Sequence, residues 1–193
     1  MLCCEEFLTR IEKIARAAPL GIVLREKDLP EEDYKKLARA VMEICNKYDT
    51  PCILHNFVKV AKELDCHAVH LPLSILRTLS AEDKKIFTTL GASCHSAEEA
   101  MEAEKLGCSY ITAGHVFDTD CKKGLPGRGL VFLKAVVNSV SVPVYAIGGI
   151  RPENRNEIRM AGAKGACVMS SMMTCDNPAE FLAAFREDYD TIE

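Results

Sequence analysis

The segment Gly114-His115-Val116-Phe117-Asp118-Thr119-Asp120-Cys121-Lys122-Lys123-Gly124 gathers a histidine, two carboxylates and two lysines just past a β-branched run. Imidazole titrates near neutral pH and can both take and return a proton, so His115 is the candidate acid–base group of a proton-transfer reaction. A solitary histidine is more often structural. What raises His115 above that reading is its position behind a glycine at the end of a strand-like run. Lys122 is suited to hold an anionic group by charge, whereas Lys123 and the carboxylates can simply solvate the loop.

Two further loops suggest an anion. The apolar run Val144 to Ile147 leads into Gly148 and Gly149, and the run Ala166 to Met169 leads into Ser170 and Ser171. Glycine lets backbone N–H groups approach an anion and serine adds a hydroxyl donor, so the two loops together read as a phosphate cradle, although a glycine pair alone makes an ordinary tight turn. Leu24-Arg25-Glu26-Lys27 places two cations after another strand-like run. Arg25 and Lys27 can be surface charges or can face an anion, and the residues alone leave both open.

These segments need a scaffold that brings strand ends together. Short β-branched runs alternate with amphipathic stretches, the order of βα units on a parallel sheet. The predicted strands are Leu20 to Leu24, Cys52 to Leu54, Ala68 to His70, Phe87 to Thr89, Tyr110 to Ala113, Val144 to Ile147 and Ala166 to Met169. The predicted helices are Glu31 to Tyr48, Phe57 to Leu64, Ala97 to Leu106, Leu130 to Ser139, Pro152 to Ala161 and Pro178 to Arg186, with another around Cys4 to Ala17. Ser96 is a candidate N-cap with Glu99 at the capping-box position, and Gly107 and Gly162 are candidate C-caps. No glycine-rich dinucleotide fingerprint follows an early strand, which favours a TIM (β/α)8-type barrel over an open doubly wound sheet. Eight strands are needed and seven are legible, so Met1 to Cys3 is either the remnant of the first strand or that strand is missing.

At 193 residues, 48% of them apolar, the chain is expected to form a single domain over residues 1–193. A net charge of −4 offers no broad attraction to nucleic acid or to anionic membrane, so a small partner is expected. No apolar run approaches the ~20 residues of a membrane span, and Glu5 and Glu6 come too early for a signal-peptide core; a cytoplasmic protein follows. Ten cysteines without a CxxC pair read as reduced thiols, with Cys94 and Cys121 nearest the candidate site.

Four blocks in order, "VLREKDL", "GASCHSAEEAMEAEKLGCSYITAGHVFDTDCKKG", "VPVYAIGGIRPEN" and "AGAKGACVMSSM", resemble the superfamily of thiamine phosphate synthase and the thiazole tautomerase TenI over Leu20 to Met173. The resemblance implies that Gly148, Gly149, Met169 and Ser170 bind phosphate mainly through backbone N–H groups, and that Arg25, Lys27 and Lys122 contact substrate. In the synthase, magnesium is held by aspartates of an "ND" pair and a "HLGQxD" block. Here these read His55-Asn56 and His70-Leu71-Pro72-Leu73-Ser74-Ile75, so both carboxylates are gone. The "GHVF" and "TDCKKG" blocks are similar to the tautomerase. That branch implies an isomerase that converts the carboxythiazole ethyl phosphate tautomer to the aromatic thiazole phosphate carboxylate, with His115 moving the proton, a small phosphorylated thiazole as partner, and no cofactor. The alternatives are thiamine phosphate synthase, which would need magnesium, and a non-catalytic regulatory binding protein. Homo-oligomer formation is left open.

Overall fold

The structure, a computed structural model, describes residues 4–119, 122 and 124–186. Met1 to Cys3, where a first-strand remnant would fall, and Asp120, Cys121 and Lys123 of the histidine loop lie outside the described residues. The chain divides into two compact units: one runs to Cys66 and resumes at Met169, and the other is His67–Val168. Seven strands occur among the described residues, and the recorded strand pairings are parallel.

The first unit holds α1 (Cys4–Arg16), β1 (Ile22–Leu24), α2 (Glu31–Lys47), β2 (Cys52–His55) and α3 (Val58–Glu63), then α9 (Ser170–Thr174) and α10 (Pro178–Arg186). α2 is the crossover that a parallel β1–β2 pair requires. Its buried residues Tyr34, Ala38, Val41 and Cys45 recur at helical spacing and form the stripe it lays on the strands. Leu24 registers with Leu54, so the residues following β1 and those at the end of β2 come side by side. From α1, Arg10 donates to the Met172 carbonyl and, at 2.5 Å, to that of Cys175, which ties down α9.

The second unit is a sheet in the order β3 (Ala68–Pro72), β4 (Thr89–Cys94), β5 (Tyr110–Gly114), β6 (Val144–Ile147) and β7 (Gly165–Cys167). Between strands come α4 (Leu73–Leu76), α5 (Ala81–Ile86), α6 (Ala97–Lys105), α7 (Gly129–Ser139), a 3-10 turn (Pro152–Asn154) and α8 (Arg155–Met160). One sheet face carries Val69, Leu71, Leu90, Ala92, Ile111, Ala113, Val144 and Ala146, all buried, with α6 and α7 packed against these strands. The alternating positions His70, Gly91, Ser93, Tyr110, Thr112 and Tyr145 form the other face. No helix among the described residues is long and apolar enough to cross a membrane.

Several sequence expectations need correction. The fourth strand is Thr89–Cys94, not Phe87 to Thr89: α5 continues to Ile86, and the residues paired on both sides are Gly91, Ala92 and Ser93, which carry little β propensity. Gly91 is there because a Cβ would overlap the Tyr110 hydroxyl and His70 Nδ1. The last strand is Gly165–Cys167; Val168 and Met169 have left the sheet, and Met169 (φ −127°, ψ −78°) precedes α9. The helix expected from Pro152 to Ala161 is split into the 3-10 turn and α8. Ser96 does cap α6, accepting from the Glu99 N–H at 3.1 Å, but the Glu99 carboxylate turns to the N–H of His95 rather than to Ser96. Gly107 and Gly162 take the left-handed conformation at helix ends, with φ of 94° and 90°.

Candidate active site

His115 follows the last residue of β5 and is pinned between two loops. Beyond Gly114, Val116 donates to the Ile147 carbonyl (2.9 Å) and Phe117 to that of Gly148 (3.0 Å), so the segment after β5 lies along the segment after β6. The approach is close enough to require glycine at each point. A Cβ on Gly148 would overlap the Cβ of His115, and one on Gly149 would meet the Asp118 carbonyl at 2.5 Å. Gly148 and Gly149 also have φ of 97° and 65°, where a side chain is disfavoured. Asn154 completes the loop, donating to the Gly149 carbonyl at 2.9 Å and accepting from the Arg151 N–H.

The half-buried imidazole of His115 has a defined tautomer. Its Nε2 lies 3.0 Å from the Pro126 carbonyl and 3.3 Å from that of Leu125. Carbonyls only accept, so Nε2 carries a proton and Nδ1 is the lone-pair nitrogen of the neutral ring. Asp118 is occupied otherwise, since its Oδ1 accepts from the Gly127 N–H at 2.6 Å and closes the loop. Lys122 is exposed, and its backbone bridges the Thr119 carbonyl and the Leu125 N–H. Burial raises Cys94 to about 12, so it stays a thiol and is no nucleophile at neutral pH.

In the first unit, Arg25 and Lys27 are exposed just past β1, and β2 ends at His55. The strand ends are held by Tyr34, whose buried hydroxyl donates to the Leu24 carbonyl (2.9 Å) and accepts from the His55 N–H (3.1 Å). The Tyr34 ring stacks on Phe57 with centroids 4.1 Å apart. Burial, and then the charges of Arg25 and Lys27, lower His55 to about 4, so its ring is neutral at physiological pH inside a cationic cluster. Met169 and Ser170, expected in the phosphate cradle, belong to this unit and are exposed at the start of α9.

The structure thus brings together His115, Gly148 and Gly149 in one unit, and Arg25 and Lys27 in the other. Sequence reasoning missed His55 as a partner of Arg25 and Lys27; the register of two short parallel strands was the signal for it. It also missed a partly buried polar chain in the second unit: His70 Nδ1 is 2.9 Å from the Tyr110 hydroxyl, and Nε2 is 2.8 Å from Ser93 Oγ and 3.3 Å from Thr112 Oγ1. Polar residues alternating with apolar ones on β3, β4 and β5 were the legible sign.

Magnesium does not fit the residues at the synthase positions. Asn56 offers one neutral oxygen on a left-handed backbone (φ 73°), and Ile75, inside α4, offers none. Among the described residues no group of three or more His, Cys, Asp or Glu side chains is placed to hold a metal ion.

The profile of the TMP-TENI family, described as thiamine monophosphate synthase, matches residues 1–172. A thiamine-phosphate synthase of Methanobrevibacter smithii is 35% identical over 90% of this chain and 84% of its own length. Thiamine-phosphate synthase 2 of Streptococcus pneumoniae is 32% identical over 90% of this chain and 83% of its own. The structure of a thiamine phosphate pyrophosphorylase from Pyrococcus furiosus superposes with a TM-score of 0.79 at 29% identity, covering 93% of this chain and 87% of that one. These names lie closer to the synthase alternative than to the tautomerase reading. The superposition gives the chain the α/β TIM-type fold that its βα alternation predicted. By the profile match across nearly its whole length and by relatives above 30% identity, the chain belongs to the thiamine monophosphate synthase (TMP-TENI) family.

Proposed function

We propose that the protein is an enzyme of thiamine biosynthesis that acts on a thiazole phosphate, and that its reaction is the tautomerisation of the carboxythiazole ethyl phosphate to the aromatic thiazole phosphate carboxylate. The observation that carries this reading is the fixed tautomer of His115, with Nε2–H on the Pro126 carbonyl and Nδ1 available. Nδ1 takes the proton from one carbon of the substrate. The imidazolium that forms keeps its Nε2–H on the two carbonyl oxygens. Nδ1 then returns the proton at the second position. Aromatisation of the ring drives the reaction, so the protein needs only to hold the substrate and relay a proton. Gly148 and Gly149 let the second loop lie against His115, which is how the phosphate end and the base come to share one support. Arg25 and Lys27, exposed cations of the first unit, stand at positions that the family resemblance implies contact substrate.

A second reading, thiamine phosphate synthase, is favoured by the names of the relatives and by retention of Arg25 and Lys27. It asks for a metal that Asn56 and Ile75 do not serve. Assaying the purified protein for both products, with and without added magnesium, tests the choice. Tautomerisation that is indifferent to magnesium supports the first reading; thiamine phosphate formed only with magnesium supports the second.

A further inference from the structure

Three consecutive peptide groups in the loop after β6 have their carbonyls tied back. The Ile147 carbonyl accepts from the Val116 N–H at 2.9 Å, that of Gly148 from the Phe117 N–H at 3.0 Å, and that of Gly149 from Asn154 Nδ2 at 2.9 Å. In a planar trans peptide the carbonyl and the N–H that follows it point in opposite directions. The three bonds therefore turn the N–H groups of Gly148, Gly149 and Ile150 away from the residues that hold the carbonyls. Among the described residues, none of these three N–H groups donates to a protein acceptor. A loop whose acceptors are used and whose donors are left over is polarised towards an anion.

The three ties differ in kind. Those from Val116 and Phe117 are backbone bonds, set by the segment after β5 lying along the loop, whereas Asn154 is a side chain. Its amide is assigned by its partners: the Arg151 N–H can only donate and takes Oδ1 at 2.9 Å, which leaves Nδ2 for the Gly149 carbonyl. Asn154 closes the 3-10 turn that Pro152 begins, and its own N–H donates to the Arg151 carbonyl at 3.2 Å, so the side chain reaches back from a short, fixed turn. The Ile150 side chain is buried and anchors the far end of the same peptide.

We propose that Asn154 is a positioning residue: by holding the Gly149 carbonyl it keeps the Ile150 N–H directed at the phosphate of the ligand. This rests on the reading that the glycine loop receives the phosphate of a thiazole phosphate. Without the amide donor, the Gly149–Ile150 peptide can rotate about a glycine, which resists rotation least of all residues. A rotated peptide turns a carbonyl oxygen towards the phosphate in place of a donor.

Calorimetry with two probes, the thiazole phosphate and its dephosphorylated alcohol, tests this on wild type, Asn154→Ala and Asn154→Leu. Both variants are expected to lose affinity for the phosphate by roughly 10- to 100-fold, the range of a hydrogen bond to a charged group, and to keep their affinity for the alcohol. A merely structural role would lower both together. Amide 1H–15N spectra of wild type supply a reading that needs no variant to fold: the Ile150 N–H should move downfield with the phosphate and not with the alcohol. Variants that keep the full preference for the phosphate, variants that lose both ligands by the same factor, or an Ile150 amide that stays still while those of Gly148 and Gly149 respond, would overturn the assignment of Asn154. Equal binding of the two probes by wild type would instead overturn the phosphate reading of the loop, and the proposal with it.

Discussion

Gly148 and His115 touch where neither has room to spare: a Cβ at Gly148 would overlap both the Cβ and, at 2.7 Å, the Cα of His115. The two residues follow neighbouring strands, β5 and β6, whose ends register Gly114 with Ile147. His115 is therefore placed by the same glycine that shapes the second loop.

Gly148→Ala should separate them. The substitution meets both the overlap and a φ of 97°, a conformation that costs roughly 1–3 kcal/mol for a residue with a Cβ. We expect a lower midpoint of denaturant unfolding and, in the fraction that remains folded, a loss of turnover larger than the loss of substrate affinity. Wild-type turnover in the folded variant would show that the contact does not place His115.

The His55 cluster predicts an acid-sensitive window. The group titrates at about 4 in the folded chain against an ordinary value of 6.5. Between these values the unfolded chain holds a proton that the folded one rejects, so stability falls as pH drops from 6.5 towards 4 and is unaffected above it. The size is on the order of 3 kcal/mol. Urea unfolding across this range should show the decline in wild type and a flatter profile in His55→Asn. Equal slopes would place the acid sensitivity elsewhere.

Phosphate recognition is checked with two ligands that differ in one group. Thiazole phosphate should bind far more tightly than the dephosphorylated alcohol in calorimetry, by about tenfold or more if even one charge-assisted hydrogen bond is lost. Equal affinities would leave the glycine loop with only its structural role beside His115.

Much of this was legible in the chain. Strands of β-branched residues, such as Val144 to Ile147, kept their predicted bounds, as did α10. The helix ends at Gly107 and Gly162 followed from the left-handed turn that glycine accepts. β4 was misplaced because Gly91, Ala92 and Ser93 are chosen by cross-strand neighbours rather than by local preference: Gly91 yields to Tyr110 and His70, and Ser93 is held by His70. α4 and α9 are single short turns with too few residues to show a period. At the site, the residue types pointed to His115 and Gly148, but not to the Pro126 carbonyl that sets the tautomer of His115. That partner is a backbone atom, and no side-chain pattern announces it.

The most direct test of the account is the rate of thiazole tautomerisation by wild type and His115→Gln without magnesium. Glutamine can keep the hydrogen bond to the Pro126 carbonyl while removing the titrating nitrogen, so substrate affinity should survive and turnover should fall by ~10²–10⁴. Asp118→Asn, which can still accept from Gly127, should keep most of the rate. A His115→Gln enzyme that turns over near the wild-type rate, or a wild type that leaves the tautomer unchanged, would contradict the assignment of His115 as the proton carrier of this reaction.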